Sequence, residues 1–387
     1  MIELKDVPRK RVLHVIDSLG FGGAQTILKH YFESRAGDET LHLYGLRTAP
    51  NLVEIEHPNV DVELSASRFS IVPLVKLRSI VQERRIDVMH CHLFRAQVFG
   101  YLVKVFFFPQ IVLIFHEHGR VAGREGESWF EALAFRLFLR SAWRRVERFV
   151  CISDHTRTRL LKVIAKADGR AVVVTNPIRA HLDDESREDL GSLRAAFGIP
   201  PNVFVVGFAA RFLERKGWRD FLHAVRIVAA QIPVFFLLAG DGEDRDKVEV
   251  CIRDLGLGDR GRMLGHVTRM DRFYRVLDCF VMPPHWEPHG LSHLEAQSYG
   301  IPVVVSNVPG LNGTVHAESD ALVFEAGNAP ALADRILQIA SNRQLRARLM
   351  HGGSLNAARY TIDIFARKLD QLYSEARTWR SGSVGAG

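Results

Sequence analysis

The stretch Pro283-Pro-His-Trp-Glu-Pro-His-Gly-Leu-Ser-His-Leu-Glu-Ala-Gln-Ser-Tyr-Gly-Ile-Pro-Val-Val-Val305 decides the fold. It predicts a loop that holds Glu287, a helix over residues 292–299 and a buried strand over residues 303–305. Strand, loop, helix and strand in this order present a helix N-terminus to a ligand in α/β proteins. Gly290 allows another molecule to approach the backbone, and the unpaired N–H groups of the first helical turn favour a negative charge there. The stretch therefore predicts a phosphate-binding site.

Two cations follow the first strand of the predicted second domain. Residues 203–208 form that strand, and Arg211 and Lys216 lie in the loop after it, just before Gly217. A guanidinium forks onto phosphate oxygens, and an ammonium adds a point charge. The spacing therefore predicts that both side chains converge on one diphosphate, although such a loop, taken alone, is more often simply solvated.

Together the two segments resemble the donor site of the retaining glycosyltransferases of family 4, also called glycosyl transferases group 1. The resemblance is carried by Glu287-x7-Glu295, by the Ala-x-x-x-Gly-x-Pro-Val-Val sequence that follows, and by Arg211-x4-Lys216-Gly. In that family the first glutamate contacts the transferred sugar, the second contacts the ribose, and the Arg–Lys pair binds the diphosphate. Ser292-x-x-Glu295 is also a capping box, so a structural role for Glu295 stays open.

The resemblance implies the GT-B fold, an α/β architecture in which two Rossmann-like domains face each other across a deep cleft and a C-terminal helix crosses back to the first domain. The donor-binding residues that it implies are Gly22, Gly23, Arg211, Lys216, His266, Val267, Glu287, Gly290, Leu291 and Glu295. The catalytic residues that it implies are His118, Glu287, Arg211 and Lys216. We expect no metal and no cofactor, because the nucleotide-sugar is a substrate and fixed protein charges meet the leaving diphosphate.

A glycine-rich turn follows the first predicted strand and opens a helix over residues 25–34. Such a turn, here with Gly22 and Gly23, is a common phosphate-binding device. Gln25 occupies the third glycine position of a dinucleotide fingerprint, which disfavours NAD, while Arg47 at the end of the next strand leaves a phosphorylated cofactor open. Family 4 enzymes often carry Gly-Gly-Ala-Glu at this turn, and Gln25 in place of the glutamate puts an acidic role in doubt.

Histidines stand at the ends of two predicted strands of the first domain. His90 and His92 share one face, but with no third ligand nearby we interpret them as loop residues at the edge of the cleft rather than as a metal site. His116 and His118 follow a buried strand over residues 111–115. By resemblance to the family's Thr-x-His segment, His118 takes the place of the histidine near the sugar, with His116 as the alternative. The competing explanation is a histidine that satisfies its own loop.

Composition and charge limit the partners. The chain has 387 residues, 47% of them hydrophobic, enough for two domains with separate cores. Its net charge of +7 and pI near 9.4 favour anionic partners such as nucleotide diphosphates or anionic lipid headgroups. Nucleic acid is the weakest candidate, since we find no nucleic-acid-binding motif. The four dispersed cysteines, together with the lack of an export signal or membrane-spanning stretch, predict a cytoplasmic protein.

A basic and aromatic segment over residues 129–149 predicts one long helix. We expect the apolar stripe through Phe130, Leu133 and Leu137 to face the sheet. The remaining aromatic residues beside a row of arginines suit a helix on an anionic membrane surface. The candidate membrane contacts are Arg136, Arg140, Trp143 and Arg144. An ordinary solvated face is the equally weighted alternative, and a peripheral position on the inner face of the cytoplasmic membrane follows only from the first interpretation.

The sequence predicts a domain boundary in the acidic, polar segment around residue 185. The expected parts are an acceptor-binding domain over residues 1–185, a donor-binding domain over residues 186–362, a returning helix over residues 363–380 and a loose tail over residues 381–387.

The expected activity is metal-independent transfer of a sugar, with retention, from a nucleotide-sugar to an acceptor hydroxyl. UDP-sugars are favoured over GDP-mannose as a family tendency, and the acceptor is expected in cell-envelope polysaccharide, lipopolysaccharide or glycolipid synthesis. Two alternatives stay open: a GT-B-fold nucleotide-sugar 2-epimerase, which turns over donor without an acceptor, and a non-catalytic nucleotide-sugar-binding protein at the membrane surface.

Overall fold

The computed structural model describes residues 10–20, 22–49, 53–63, 70–119, 129–178 and 188–375. The chain forms two α/β units. The N-terminal unit comprises residues up to Pro177 together with residues from Ile362 onward, and the C-terminal unit comprises Ile178–Thr361. The predicted boundary near residue 185 and the predicted tail over residues 381–387 lie outside the described residues.

The N-terminal unit contains a seven-stranded sheet in the order β3-β2-β1-β4-β5-β6-β7, with all neighbours parallel. Its strands are β1 (Val12–Ile16), β2 (Leu41–Gly45), β3 (Val60–Val62), β4 (Val88–His92), β5 (Val112–Glu117), β6 (Arg148–Cys151) and β7 (Ala171–Val173). The central strands are buried along their whole length, which is the pattern of a parallel sheet covered on both faces.

Helices cover this sheet, and one of them comes from the far end of the chain. The helices are α1 (Gly23–Glu33), α2 (Val72–Glu83), α3 (Phe94–Phe106), α4 (Trp129–Ala142), α5 (Asp154–Val163) and α13 (Ile362–Ser374). Helix α13 packs Phe365 edge-on against Tyr31 of α1, with ring centroids 5.7 Å apart. The predicted return of the C-terminal helix to the first domain is therefore confirmed.

The C-terminal unit contains a six-stranded parallel sheet in the order β10-β9-β8-β11-β12-β13. Its strands are β8 (Phe204–Ala209), β9 (Val234–Ala239), β10 (Gly261–Gly265), β11 (Cys279–Met282), β12 (Val303–Ser306) and β13 (Ala321–Phe324). Its helices are α6 (Leu190–Ala196), α7 (Trp218–Val228), α8 (Arg245–Asp254), α9 (Met270–Arg275), α10 (Ser292–Ser298), α11 (Ala329–Ser341) and α12 (Arg343–Ala357).

Helix α7 shows how the sequence pattern builds the core of this unit. Apolar residues recur at helical spacing and form one buried stripe of Trp218, Phe221, Leu222, Val225 and Val228. Burying each large side chain of this kind stabilises the fold by roughly 1.5–3 kcal/mol. The stripe holds α7 on the sheet. It thereby also fixes the position of the first residue of α7, which directly follows the loop after β8.

Each sheet reverses its strand order once. In the N-terminal unit the reversal lies between β1 and β4, and in the C-terminal unit it lies between β8 and β11. Loops that leave two neighbouring strands in opposite directions open a crevice at the carboxyl ends of those strands, where α/β proteins bind ligands. Both candidate sites described below lie beside these reversals.

The long helix predicted over residues 129–149 is shorter than expected. Helix α4 ends at Ala142, a 3₁₀ turn follows over Trp143–Arg145, and β6 begins at Arg148. The predicted buried face was also wrong. Phe135 and Leu139 are buried, because they pack on the sheet side. The expected core stripe is instead exposed, with Phe130 at 64% and Leu137 at 54%.

Within the described residues, none of the helices combines the length and the apolar character needed to cross a bilayer.

The packing of α3 on the sheet gives a test of the N-terminal core. A methyl group added at Gly100 of α3 would overlap the Sγ of the buried Cys91 in β4. Overpacking of this kind costs about 1–3 kcal/mol, more than the helix gains from alanine. We expect Gly100→Ala to lower the free energy of unfolding by that amount in chemical denaturation.

The control variants separate overlap from other effects of the new methyl group. Gly169→Ala adds a methyl group where no atom lies within 4 Å and should leave the stability nearly unchanged. Adding Cys91→Ala removes the overlapping sulfur, so the double variant should lose less stability than the two single losses summed. Strict additivity of the two losses would contradict the packing described here.

Candidate donor site and histidine cluster

Three loops meet at the carboxyl edge of the C-terminal sheet. The loop over residues 210–217 follows β8, the loop over residues 240–244 follows β9, and the loop over residues 283–291 follows β11. Since β8 lies between β9 and β11 in the sheet, its loop contacts both neighbours. The amide of Phe212, for example, donates to the carbonyl of Asp241 at 2.9 Å.

Gly217 allows the first and third loops to approach each other. Its φ of 75° lies in the left-handed region, and an added Cβ would overlap the backbone carbonyl of Pro283. Beside it, the amide of His285 donates to the carbonyl of Arg215 at 2.8 Å. The two loops are therefore joined through their backbones, and a glycine is required at position 217.

This contact brings together two residues that the sequence analysis assigned to the donor site. The Lys216 ammonium lies 2.6 Å from Oε2 of Glu287, and the Glu287 residue is only 8% exposed. The other carboxylate oxygen, Oε1, is also a hydrogen-bond acceptor. The pair thus offers one fixed cation for an anionic group and one acceptor oxygen for a hydroxyl group.

Arg211 lies at the end of β8 but forms a different ion pair. Its guanidinium donates two hydrogen bonds to the Glu243 carboxylate, with Nε 3.1 Å from Oε2, and both side chains are exposed. The two cations therefore engage two different glutamates, and their convergence on one diphosphate stays a prediction. An exposed pair of this kind contributes little free energy, so Arg211 can exchange Glu243 for a phosphate at small cost.

Glu295 does not form the capping box that its spacing allowed. Helix α10 has no side-chain cap, and the Ser292 hydroxyl lies 3.6 Å from the sulfur of Met282. Glu295 instead accepts a hydrogen bond of 2.8 Å from the Tyr274 hydroxyl. Burial raises the pKa of the Glu295 carboxyl, and the Tyr274 bond, which favours the carboxylate, opposes that rise. The capping explanation for Glu295 is therefore wrong.

The remaining donor-site candidates of this unit flank the same edge. Gly290 has a φ of 74°, and an added Cβ would lie 2.6 Å from the Leu311 side chain, so a glycine is needed immediately before Leu291 and α10. His266 and Val267 follow β10, which lies beyond β9 from β8. His266 is exposed and Val267 is half-buried.

The glycine turn of the N-terminal unit follows β1, beside the strand-order reversal. Gly22 and Gly23 are both exposed at the start of α1. The buried Gln25 amide donates to the carbonyl of Ser18 at 3.1 Å and so braces the turn. A carboxylate could not donate this bond, which explains why a glutamine suits the position.

The sequence analysis had left a phosphorylated cofactor open because of Arg47. In the structure Arg47 pairs with Asp17 at 3.0 Å.

A histidine cluster lies on one face of the N-terminal sheet, and sequence reasoning missed it. Its members come from three adjacent strands and the residue after the third: His14 of β1, His90 and His92 of β4, His116 of β5, and His118. Neighbouring rings lie 4.2–5.3 Å apart, centroid to centroid. The interpretation of His90 and His92 as loop residues without a third ligand was wrong, because both are buried strand residues with imidazoles on either side.

Hydrogen bonds link the cluster to the C-terminal helix. His118 Nε2 lies 3.0 Å from His92 Nδ1, and His92 Nε2 lies 2.9 Å from His14 Nδ1. The Tyr373 hydroxyl of α13 then lies 3.1 Å from His14 Nε2 and 2.7 Å from His90 Nδ1. Burial lowers the pKa of His118 to about 4 and that of His14 to about 3, so both imidazoles are neutral near pH 7.

The periodicity of the sequence held the signal for this cluster. Residues two apart on a strand point to the same face, so His90 and His92 share a face, as do His116 and His118. What was missing was the sheet order, which places β4 between β1 and β5 and so brings His14 alongside. Two groups of three imidazoles, His14–His90–His92 and His92–His116–His118, have ligand atoms within 4.8 Å of one another.

The membrane-surface candidates divide between two environments. Arg136, Arg140 and Arg144 are exposed. Trp143 is instead half-buried against the core of the N-terminal unit, with the guanidinium of Arg170 5.6 Å from its ring centroid. Trp143 is therefore a packing residue. The three arginines are exposed, although Arg140 Nε donates to the carbonyl of Val163 at 3.3 Å and the Arg144 guanidinium lies 5.6 Å from the Trp143 ring centroid.

Comparison with known sequences identifies the family. Residues 35–182 match the family described as Glycosyltransferase Family 4, and residues 191–354 match the family described as Glycosyl transferases group 1. These two matches confirm the resemblance found in the sequence. The chain belongs to the group 1, family 4 glycosyltransferases, a family whose members retain the anomeric configuration.

Two curated relatives come from Rhizobium meliloti (strain 1021). The chain is 32% identical over 209 residues to the lipopolysaccharide core biosynthesis glycosyltransferase LpsD, covering 54% of this chain and 58% of LpsD. It is 35% identical over 161 residues to the lipopolysaccharide core biosynthesis glycosyltransferase LpsE, covering 41% of this chain and 46% of LpsE. The chain thus spans about half the length of these relatives.

A solved structure extends the likeness to nearly the whole chain. Anabaena Alr3699/HepE in complex with UDP superposes with a TM-score of 0.80 at 19% identity, covering 94% of this chain and all of HepE. HepE has also been solved with UDP-glucose. At this identity the match shows the fold, and it confirms the predicted GT-B architecture.

His293, which lies in α10 beneath the candidate donor loop, predicts a pH dependence. Burial lowers its pKa to about 3, with a smaller contribution from His289. An unfolded chain binds a proton at its normal pKa of about 6.5, so the stabilisation is complete above that value and declines as the pH falls toward 3. Below pH 6.5 the free energy of unfolding of the wild type should fall as the pH falls. In His293→Leu we expect this fall to be smaller, by up to ~1.4 kcal/mol per pH unit.

Urea unfolding at several pH values between 7 and 5 measures this slope. His351→Leu removes an exposed histidine from the same unit and is the matched control. A His293→Leu variant with the pH profile of the wild type would show that this imidazole does not contribute to acid sensitivity.

Proposed function

We propose that this protein transfers a sugar from a nucleotide-sugar to an acceptor hydroxyl with retention of configuration. The observation that carries the proposal is the Lys216–Glu287 pair, held at the strand-order reversal of the C-terminal unit by Gly217. Membership of the family supports the reaction class.

The donor is proposed to be a UDP-sugar. HepE, which shares the fold, binds UDP and UDP-glucose. In the proposed arrangement Lys216 and Arg211 bind the diphosphate, Glu287 accepts hydrogen bonds from the sugar, and Glu295 accepts them from the ribose. Gly290, Leu291 and the first N–H groups of α10 lie against the phosphates. His266 and Val267 are proposed to contact the base, and Gly22 and Gly23 are proposed as further donor-binding residues.

Departure of the nucleotide diphosphate is the difficult step of this reaction. As the bond from the anomeric carbon to the diphosphate oxygen breaks, negative charge grows on that oxygen, and Lys216 and Arg211 stabilise it without a metal in the proposed scheme. The acceptor oxygen forms the new bond to the anomeric carbon on the same face. Its proton passes to the departing diphosphate oxygen, so atoms and charges balance. His118 is proposed to contact the sugar.

The acceptor is proposed to be a precursor of a cell-envelope glycan. The names of LpsD and LpsE assign those proteins to lipopolysaccharide core biosynthesis. A lipopolysaccharide core oligosaccharide is therefore the first acceptor to test, with polysaccharide and glycolipid precursors next.

Substitutions at the ion pair and at the ribose position test the donor assignment. Losing one preorganised charge contact costs about 3 kcal/mol in the transition state, so we expect Lys216→Ala to lower turnover roughly a hundredfold. Glu295→Ala should mainly weaken donor binding. A thermal-shift panel of UDP-glucose, UDP-galactose, UDP-N-acetylglucosamine and GDP-mannose identifies the donor, since a ligand at a hundred times its Kd adds ~2.7 kcal/mol of stability.

The matched control is Lys247→Ala, which breaks another Lys–carboxylate pair of the same unit, the one with Asp244. This variant should release UDP at the wild-type rate when acceptor is present. Wild-type turnover by Lys216→Ala would contradict the diphosphate assignment. Conversion of the donor to its 2-epimer without any acceptor would identify the epimerase alternative, and donor binding without turnover would identify the non-catalytic one.

We further propose that α4 contacts an anionic membrane surface through the face that the structure leaves exposed. Trp129, Leu133 and Leu137 are spaced four residues apart, and so share one face of the helix, with Trp129 65% exposed. Arg136 and Arg140, four residues apart, are exposed on the same helix. Exposed apolar residues beside arginines are the composition of an interfacial helix.

This surface predicts binding to vesicles. We expect the protein to co-sediment with phosphatidylglycerol-containing vesicles more than with phosphatidylcholine vesicles, and less in high salt. Leu133→Gln with Leu137→Gln should reduce the bound fraction without lowering stability, because both leucines are exposed. Leu355→Gln, an exposed leucine of α12, is the control. Equal sedimentation of the double variant and the wild type would rule out this face.

A further inference from the structure

We propose that His92, His116 and His118 form a binding site for one divalent transition-metal ion of the zinc class. This proposal goes beyond the proposed transferase activity, whose cations lie in the C-terminal unit. The three residues belong to the N-terminal unit, at the carboxyl ends of β4 and β5.

The spacing of the ring nitrogens fits a tetrahedral ion. Zinc binds imidazole nitrogens at about 2.0–2.1 Å, which places two such ligands roughly 3.3–3.4 Å apart. His92 Nδ1 and His118 Nε2 already lie 3.0 Å apart, and His92, His116 and His118 each offer a ring nitrogen within 4.8 Å of those of the other two. Small side-chain rotations would therefore bring three lone pairs onto one ion.

His116 gives an independent indication of a ligand. It is 1% exposed, and neither of its ring nitrogens has a hydrogen-bond partner among the described residues. A buried imidazole without partners loses the hydrogen bonds that water gave it, at a cost of roughly 1–3 kcal/mol. A bound ion would satisfy one nitrogen and recover part of that cost.

The hydrogen bonds of the neighbouring groups are compatible with the His92 tautomer that the ion requires. If His92 Nε2–H donates to His14 Nδ1, then His14 Nε2–H donates to Tyr373, whose hydroxyl donates to His90 Nδ1. His92 Nδ1 is then a bare acceptor directed at the site. Partners of this kind orient metal-binding histidines and are typical of protein metal sites.

The other group of three, His14–His90–His92, is the weaker candidate. An ion there would take a nitrogen of His14 from its bond to His92 or from its bond to Tyr373, whereas an ion at the proposed site replaces only the bond between His92 and His118. All three residues are also fully enclosed, whereas His118 is only partly buried and gives solvent access to the proposed site. A water molecule can occupy the fourth position of the ion.

The ligand set defines the class of ion. Three neutral imidazoles suit zinc, cobalt, nickel and copper, whereas magnesium and calcium prefer oxygen ligands. The ion would also occupy the His118 imidazole, which the proposed transferase mechanism uses for the sugar. Metal binding and that sugar contact are therefore mutually exclusive, and the ion is not a participant in the transfer step.

The test uses the full chain, freed of any purification tag and stripped with a chelator. Isothermal titration with zinc chloride should show one ion per chain, and cobalt should give the intense visible absorption of a tetrahedral site. We expect His116→Leu to weaken zinc binding at least 10–100-fold, the loss typical even of an outer partner. Its unliganded melting temperature should not fall much, because the leucine removes an unpartnered polar group.

Two further variants keep the result interpretable. His118→Gln, at the partly exposed ligand, repeats the test should His116→Leu fail to fold, and His351→Leu removes an exposed histidine of the C-terminal unit as the matched control. Loss of binding in the first two variants with retention in the control supports the site. A wild-type protein that binds no zinc at 100 µM, or ligand variants that bind it as the wild type does, would overturn the proposal.

Discussion

The close approach of the loops after β8 and β11 is the constraint on which the candidate donor site depends. Gly217 takes up a left-handed conformation directly against the Pro283 carbonyl, and no larger residue fits there. Because the two strands are neighbours at the strand-order reversal, this contact brings Lys216 to Glu287 across 71 residues of sequence. Without it, Lys216 would be a solvated lysine at the tip of a loop, held by nothing.

The two cations assigned to the diphosphate, Arg211 and Lys216, are each paired with a glutamate before any ligand binds. Arg211 pairs with Glu243 and Lys216 pairs with Glu287, so neither of these two cations is a free charge. The two pairs differ in exposure. Arg211 and Glu243 lie in solvent and can separate at little cost, whereas the partly buried Lys216–Glu287 pair is expected to persist and to share its ammonium with a phosphate. Such an arrangement also favours release of the product, since Glu243 can pair with Arg211 again.

The family resemblance was enough for the GT-B fold, and local sequence signals were enough for the residues around α10. Glycines, apolar strands and helix spacing placed Glu287, Gly290 and α10 within a residue or two of the structure, because each depends on neighbours in the chain. The buried face of α4 could not be obtained in this way. Two apolar stripes run along that helix, and only the position of the sheet decides that Phe135 and Leu139 face inward.

The histidine cluster shows the same limit more sharply, since it exists only through the order of strands. Five imidazoles occupy a sheet face that apolar residues could fill, and neutral buried imidazoles are stable only when their nitrogens find partners. Most do so through a chain of bonds that ends on the Tyr373 hydroxyl of α13. This bond ties the end of the chain to β1 and β4 at one defined position, because a helix docked in another register would leave His14 and His90 without their donor or acceptor. His116 takes no part in these hydrogen bonds. They therefore do not explain why a histidine occupies position 116.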